Sequence, residues 1–337
     1  MGIKLNKKAV LFSLISVLFS VLFITLFSQN FNTMYEDRIP GSNIRITVID
    51  TYVRNFETYL SDSIKISTYR TLDAIITYEH NHHAFFKDQD SFNNAFHDCM
   101  VYDLVNSTDP TSGCGLGQYY LEARLDEIKS LSIDQLNINT TYYINSVSIE
   151  QKQAFEVEVK VNVSYNVTDN SDKNYYARWT KEIVITEPIS IIGLLEPTGN
   201  INDSSDMYNR TISRYRGICE SDENMTCWNA SNRLEFYQEK SFRLQKDSTS
   251  FLQRYWNNNS PSSCCGIETI IHPSELPSPS QNRSYVERYY WNSTFTCSNS
   301  TPITTYLLGG DIVSLDARTA ITFGFTLNDS NIIRTCP

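Results

Sequence analysis

Residues 9–28 read AVLFSLISVLFSVLFITLFS, twenty positions without a charge, a proline or a glycine. At about 1.5 Å per residue a helix of that length reaches about 30 Å, the depth of one hydrocarbon core. Lys4, Lys7 and Lys8 precede the run, and Glu36 and Asp37 follow it ahead of Arg38. The positive-inside bias therefore places residues 1–8 in the cytoplasm and everything beyond residue 30 outside. A cleavable secretory peptide has an apolar region of about 7–15 residues and ends in a small-x-small site. This run is longer, and Leu26-Phe27-Ser28 is a poor site. We therefore expect an uncleaved signal anchor. Pilin-type processing stays open, because the basic-small pair Lys8-Ala9 immediately precedes the apolar run and cleavage there would leave the helix on the mature protein. Asn6 stands where a myristoylated Met1-Gly2 start carries Ser or Thr, which argues against that modification.

The chain has 337 residues with 28 Lys+Arg against 38 Asp+Glu, a formal charge of −10. A nucleic-acid groove would have to be built against that average field, so no nucleic-acid partner is expected. The expected partners are the lipid bilayer through residues 9–28, other cell-surface proteins or glycans, and further copies of the chain itself.

An exterior location has separate support. Asn-x-Ser/Thr sequons occur at Asn106, Asn139, Asn162, Asn166, Asn202, Asn209, Asn224, Asn229, Asn258, Asn282, Asn292, Asn299 and Asn328, all beyond residue 100. They are candidate glycosylation sites, with compositional richness in Asn, Ser and Thr as the plainer alternative. Cys99, Cys114, Cys219, Cys227, Cys264, Cys265, Cys297 and Cys336 are an even set with no Cys-x-x-Cys pair, which reads as disulfides rather than a zinc site. Close spacing favours Cys99 with Cys114 and Cys219 with Cys227. The other four are left to staple the C-terminal part.

Arg38-Ile39-Pro40-Gly41 breaks the backbone just outside the membrane. From Asn43 to about Tyr78, Ile46, Ile49, Val53, Phe56, Leu60 and Ile64 recur at spacings of three and four, which predicts a long amphipathic helix. A second helix is expected over 116–131. Beyond Thr140 the period becomes two, most cleanly at Val157, Val159, Val161, Val163, Tyr165 and Val167. With 142–150 before it and 176–192 after it, this segment predicts a three-stranded antiparallel meander with Asn162 and Asn166 on its polar face.

Glu196-Pro197-Thr198-Gly199 marks a boundary, followed by an Asn/Ser/Asp-rich loop to about Cys227. A possible helix over 234–252 and short strands over 266–272, 284–295, 304–308 and 320–327 complete the reading. The fold class is α+β. An N-terminal transmembrane helix and a long amphipathic helix on an antiparallel sheet lead to a strand-rich, disulfide-bonded C-terminal domain. The corresponding divisions are a cytoplasmic tail (1–8), an anchor (9–28), a juxtamembrane linker (29–41) and two extracellular domains (42–197 and 198–337).

Several constellations could carry chemistry. Glu79-His80-Asn81-His82-His83, with Asp88, Asp90 and His97 nearby, is the densest ionisable cluster, but it lacks a ligand spacing such as His-Glu-x-x-His. It reads more readily as a solvated helix end favoured by the dipole. Gly113-Cys114-Gly115-Leu116-Gly117 could offer backbone N–H groups to an anion. No strand precedes it and no Lys-Ser/Thr follows, so a disulfide-held turn is the expectation. Tyr255-Trp256 and Tyr289-Tyr290-Trp291 suit carbohydrate or protein contact, or ordinary strand packing. No catalytic, cofactor-binding or metal-binding residue is assigned; an exported hydrolase or metal-dependent enzyme stays as a lesser alternative.

Lys7-Lys8-Ala9 before the apolar run, Thr68 to Ile75 (TYRTLDAI), Ile189 to Pro197 (ISIIGLLEP), Ser250 to Arg254 (SFLQR) and Gly266 to Ile271 (GIETII) thread most of the chain. In these stretches the sequence resembles a group of uncharacterised membrane-anchored surface proteins of small-genome archaea. Glu196 replaces the Asp usual before their boundary proline, and Ser13 stands where a bacterial-type pilin would carry an early glutamate. The resemblance implies a cell-surface protein with pilin-like architecture as one form, and brings no established activity. The expected role is non-catalytic, in envelope structure or adhesion, with a pilin-like filament subunit as the alternative.

Overall fold

The computed structural model describes residues 41–82, 84–105, 113–170, 178–197, 210–217, 239–245, 248–258, 260–262 and 264–271, the single positions 232, 235 and 236, and the strand residues 284–286, 303–308, 311–316 and 332–335. The expected anchor at 9–28 lies outside these residues. Among the described residues no helix is long and apolar enough to cross a membrane. The chain divides into two compact units, 1–53 and 54–337.

Helix α1 runs over Gly41–His82. Its stripe is the expected one from Ile49 onward: Ile49, Val53, Phe56, Leu60 and Ile64 are buried, whereas Ile46 is exposed. The stripe continues through Leu72, Ile75 and Ile76, with Ser63, Ser67, Thr68 and Thr71 buried among them. These small side chains let neighbouring elements come close. Ser67 Oγ donates to the Tyr119 carbonyl (2.7 Å), and Thr68 Oγ1 lies 3.8 Å from Met100 Sδ.

Helix α2, Gln89–Tyr102, was not anticipated. Asp88 caps it, its carboxylate accepting from the Ser91 N–H (2.8 Å) and hydroxyl (2.6 Å). Those two bonds hold Asp88 below the usual carboxylate range. Phe92, Ala95, Phe96, Cys99 and Met100 form its buried face. A single 3-10 turn, Gly117–Tyr119, leads into α3, Leu121–Leu136. The helix foreseen at 116–131 is therefore present but starts and ends about five residues later.

The meander is β1 (Ile138–Gln153), β2 (Glu156–Asp169) and β3 (Arg178–Ser190), in the order β1-β2-β3 and antiparallel throughout. Every odd residue of β2 from Val157 to Val167 is buried, and together with Ile189 they form the inner face. Burying an apolar side chain of this size contributes about 1.5–3 kcal/mol, so this row alone fixes the register. Helix α1 lies on that face. Phe56 and Tyr165 pack ring to ring at 5.1 Å, and Tyr165 Oη donates to Glu57 (2.5 Å), which also pairs with Lys181 (2.6 Å). Ser61 and Lys65 both reach Glu187 on β3. On the other flank Arg124 of α3 stacks over Tyr59 at 5.2 Å.

Beyond the sheet come β4 (Arg243–Leu244), a 3-10 turn at Leu252–Trp256 and β5 (Ile267–Glu268), which pairs with β4. The helix foreseen over 234–252 is corrected. Glu235, Phe236 and Glu239 are helical, but Lys240 adopts φ 52°, a left-handed turn that ends the helix, and the chain continues extended. Five further short strands, β6 (Ile270–Ile271), β7 (Ser284–Val286), β8 (Ile303–Leu308), β9 (Asp311–Asp316) and β10 (Ile332–Thr335), form a sheet in the order β10-β8-β9-β7-β6. The strand expected at 320–327 lies outside the described residues.

Candidate functional site

Apart from Asp169, the buried charged residues among those described gather where the end of α1, the loop after β3 and the β4–β5 ladder meet. Arg254, on the 3-10 turn, donates from Nη1 to Glu196 Oε1 (2.8 Å) and from Nη2 to the Ile267 carbonyl (2.7 Å). Its side chain is 3% exposed and that of Glu196 is 0%. The guanidinium also lies 5.8 Å from the centre of the Phe242 ring. One strand away, Arg243 donates to Glu268 Oε1 (3.1 Å), a pair as deeply enclosed as the first. Arg210 Nη1 donates to Thr269 Oγ1, whose own hydroxyl donates to the Ser241 carbonyl (2.8 Å).

Gly266 holds the ladder to this loop. A Cβ there would stand 2.2 Å from the Gln245 carbonyl oxygen and 2.3 Å from that of Ser248, closer than any side chain tolerates. Glycine is required by proximity, since Gln245 N–H must reach the Gly266 carbonyl (2.8 Å).

Glu79 completes the assembly from the last turn of α1. It is 1% exposed, and its carboxyl oxygens have no hydrogen-bond partner among the described residues. The nearby Phe86 N–H donates to the Tyr255 carbonyl (3.0 Å). Burial pushes the Glu79 carboxyl well above its usual range, opposed by the nearby Phe86 N–H and reinforced by the negative charge of Glu196. Tyr255 is wholly buried, and its hydroxyl faces the Leu72 carbonyl at 3.4 Å. Burial raises that phenol as well, reinforced by Glu79, Asp73 and Glu196.

The sign of the pH dependence follows. Glu79 has a higher affinity for its proton in the folded chain than in the unfolded one. Its contribution is thus fully present below the unfolded value and is lost as pH rises through the folded one. Glu79→Gln fixes the uncharged state. Thermal melts of the two chains are expected to coincide near pH ~4 and to separate progressively above it, with Glu79→Gln the more stable. Parallel pH profiles would exclude Glu79 as the titrating group.

The sequence-derived candidates are dispersed. His80 is half-buried and His82 exposed on the last turn of α1, where His82 stacks on Tyr78 at 4.0 Å and Nδ1 lies 2.8 Å from the Tyr78 carbonyl. His97 pairs with its neighbour Asp98 (2.9 Å) on α2. His83 lies outside the described residues. Among the described residues no three His, Cys, Asp or Glu side chains come together as a metal site would need. The glycine-rich turn does present backbone N–H groups to an anion, and the anion is internal. Asp103 accepts from Leu116 N–H (2.7 Å) and Gly117 N–H (3.3 Å), with Gly115 at φ 76° and Gly117 at φ 61°.

Cys99 and Cys114 are joined by a disulfide across this turn. Cys264 and Cys265, two of the four cysteines left to staple the C-terminal part, are bonded to each other. The Gln151 carbonyl oxygen sits against this pair, 3.0 Å from Cys265 Sγ. The Gln151 side chain accepts from Leu252 N–H (3.1 Å), tying the β1–β2 hairpin to the 3-10 turn. Cys219, Cys227, Cys297 and Cys336 lie outside the described residues. Tyr255 packs in the core against Phe92 (4.6 Å) and Phe251 (5.3 Å), so it is no contact platform. Tyr289-Tyr290-Trp291 lies outside the described residues.

Of the sequon asparagines, Asn139, Asn162, Asn166 and Asn258 are described. Asn162 and Asn166 stand on the outer face of the sheet. Asn162 Nδ2 donates to Glu182 (2.8 Å), and the Asn166 carbonyl oxygen accepts from Arg178 (2.9 Å) and Thr180 (3.2 Å). Asn106, Asn202, Asn209, Asn224, Asn229, Asn282, Asn292, Asn299 and Asn328 lie outside.

These features define an α+β protein whose most distinctive polar assembly is a sealed set of ion pairs. The paired arginines and glutamates are closed to solvent, and the arrangement specifies one packing of the loops around it. The buried arginines gave no local sequence signal, because their partners lie 25 and 58 residues away. No known protein family, curated protein or solved structure matches the chain.

Proposed function

We propose that the chain is a membrane-anchored, glycosylated cell-surface protein with a non-catalytic structural or adhesive role in the envelope, of the kind seen in small-genome archaea. Residues 9–28 cross the bilayer once with the N-terminus in the cytoplasm, and the remainder, including a strand-rich, disulfide-bonded C-terminal part, is extracellular. The observation that carries this reading is the uncharged twenty-residue run preceded by Lys4, Lys7 and Lys8. The Cys99–Cys114 bond supports it, since such bonds persist in oxidising surroundings. Asn162 and Asn166 support it by standing where a glycan would leave the core untouched.

A pilin-like filament subunit is the second reading. It is favoured by the 42-residue helix that follows the apolar run, whose later turns lie on a three-stranded antiparallel sheet.

Non-reducing mass spectrometry of protein taken from its native membrane tests the first reading. The expected result is an unprocessed start, modified asparagines and no free thiol. A chain recovered in the soluble fraction with free thiols and bare asparagines overturns it. A start at Ala9 together with recovery as sedimenting polymers transfers the case to the filament.

A further inference from the structure

β3 is an edge strand. Among the described residues its thirteen positions pair with β2 alone, and every even residue from Arg178 to Ser190 is exposed. In a strand the N–H and C=O of one residue point to the same side, and the side alternates along the chain. Pro188 has no N–H and keeps its place opposite Glu158 because residues of its parity turn their backbone groups away from β2. The outward groups are therefore those of Thr180, Glu182, Val184 and Thr186. A row of unpaired donors and acceptors is a template for another strand.

The side chains select which strand fits. We propose that the β3 edge docks β3 of a second copy of this chain, antiparallel about a two-fold axis at Val184, joining the two meanders into one sheet. In that register Ile183 faces Ile185 of the second copy, and Lys181 faces the second copy's Glu187. Each charge keeps its partner on its own α1, Glu57 for Lys181 and Lys65 for Glu187. The join then reads Glu57, Lys181, Glu187, Lys65 across the two copies, alternating in sign at every step. Opposed charges and β-branched pairs across strands are stabilising, and like charges are not.

Neighbouring registers lose this match. Centring on Glu182 sets two carboxylates face to face, and centring on Thr186 places Ile185 against Glu187. Pro188 falls opposite Thr180 and ends the ladder. Val184, 52% exposed in the single chain, becomes the central residue of the join. Half-buried Ile183 and Ile185 of both copies cover one another on the inner face. This inference stands on β3 and the α1 charges paired with it, and holds whether or not residues 9–28 cross a membrane.

Sedimentation of the full chain in detergent across a concentration series tests it, with Val184→Pro as the variant. The proline removes an N–H that points away from β2 and has no partner among the described residues, yet at the join it deletes both bonds of the central pair. The native chain is expected to be a dimer, and Val184→Pro to raise the dissociation constant about 100-fold. Hydrogen exchange on the unaltered chain supplies a second measurement that needs no variant to fold. Amides of Thr180, Glu182, Val184 and Thr186 are expected to be protected at high concentration and to exchange rapidly on dilution. A monomer at all concentrations, an equally tight Val184→Pro dimer, or rapid exchange of these four amides throughout would each overturn the proposal. Protection appearing only when a membrane extract is added would assign the edge to a different protein and also overturn it.

Discussion

Glu196→Ala is expected to lower the stability of the folded chain by about 3–5 kcal/mol, measured by urea unfolding. The carboxylate has no solvent-accessible surface and its partner Arg254 almost none. Truncation therefore strands a guanidinium that water cannot reach. Arg254 would keep the Ile267 carbonyl and the face of Phe242 but lose its counter-charge. Desolvating a cation without that partner is what makes the loss large; the ion pair taken as a whole contributes far less. The double replacement Glu196→Leu with Arg254→Met tests this distinction. It is expected to recover most of the deficit, since an apolar pair of similar bulk carries no charge to desolvate. A double variant no more stable than Glu196→Ala would show that the cost lies in packing instead.

Phe92→Ala is expected to be comparably severe, about 3–5 kcal/mol. Phe92 is fully buried, with ring centres of Phe86, Phe96, Tyr255 and Trp256 at 5.8, 6.1, 4.6 and 5.7 Å. It is the side chain through which α2 meets the 3-10 turn bearing Arg254. Removing it leaves a void lined by four rings that cannot close on one another without shifting the turn. Loss of near-ultraviolet circular dichroism from Tyr255 and Trp256 is expected to accompany the drop in denaturation midpoint. A change below about 1 kcal/mol would mean that the site collapses around the void.

The periodic parts of this fold were legible from residues alone. The spacing of Phe56, Leu60 and Ile64 defined α1, and the alternation through Val157–Val167 defined the central strand of the meander, because each repeats over several turns or pleats. Helix α2 carried an equally clear signal: Asp88 before Ser91 as a cap, then Phe92, Ala95, Phe96, Cys99 and Met100 at helical spacing. The neighbouring histidines and aspartates read instead as a solvated helix end. The expectation of a helix over 234–252 failed for another reason. Arg243 looks like the wet side of an amphipathic helix, and its burial is decided by Glu268, which no local window contains. Glu79 was noticed as part of an ionisable cluster. Its enclosure depends on Tyr255 and Phe86 closing over the end of α1.

Cys264 and Cys265 are adjacent, so their bond encircles no stretch of polypeptide, whereas Cys99 and Cys114 stand 15 positions apart and tie off the chain between them. The entropy a crosslink removes from the denatured chain grows with the length it encloses. A reductant that severs both bonds would thus release a tether at one place and only loosen a joint at the other. What the adjacent pair contributes is stiffness confined to a single peptide unit, held against the Gln151 carbonyl at the tip of a hairpin.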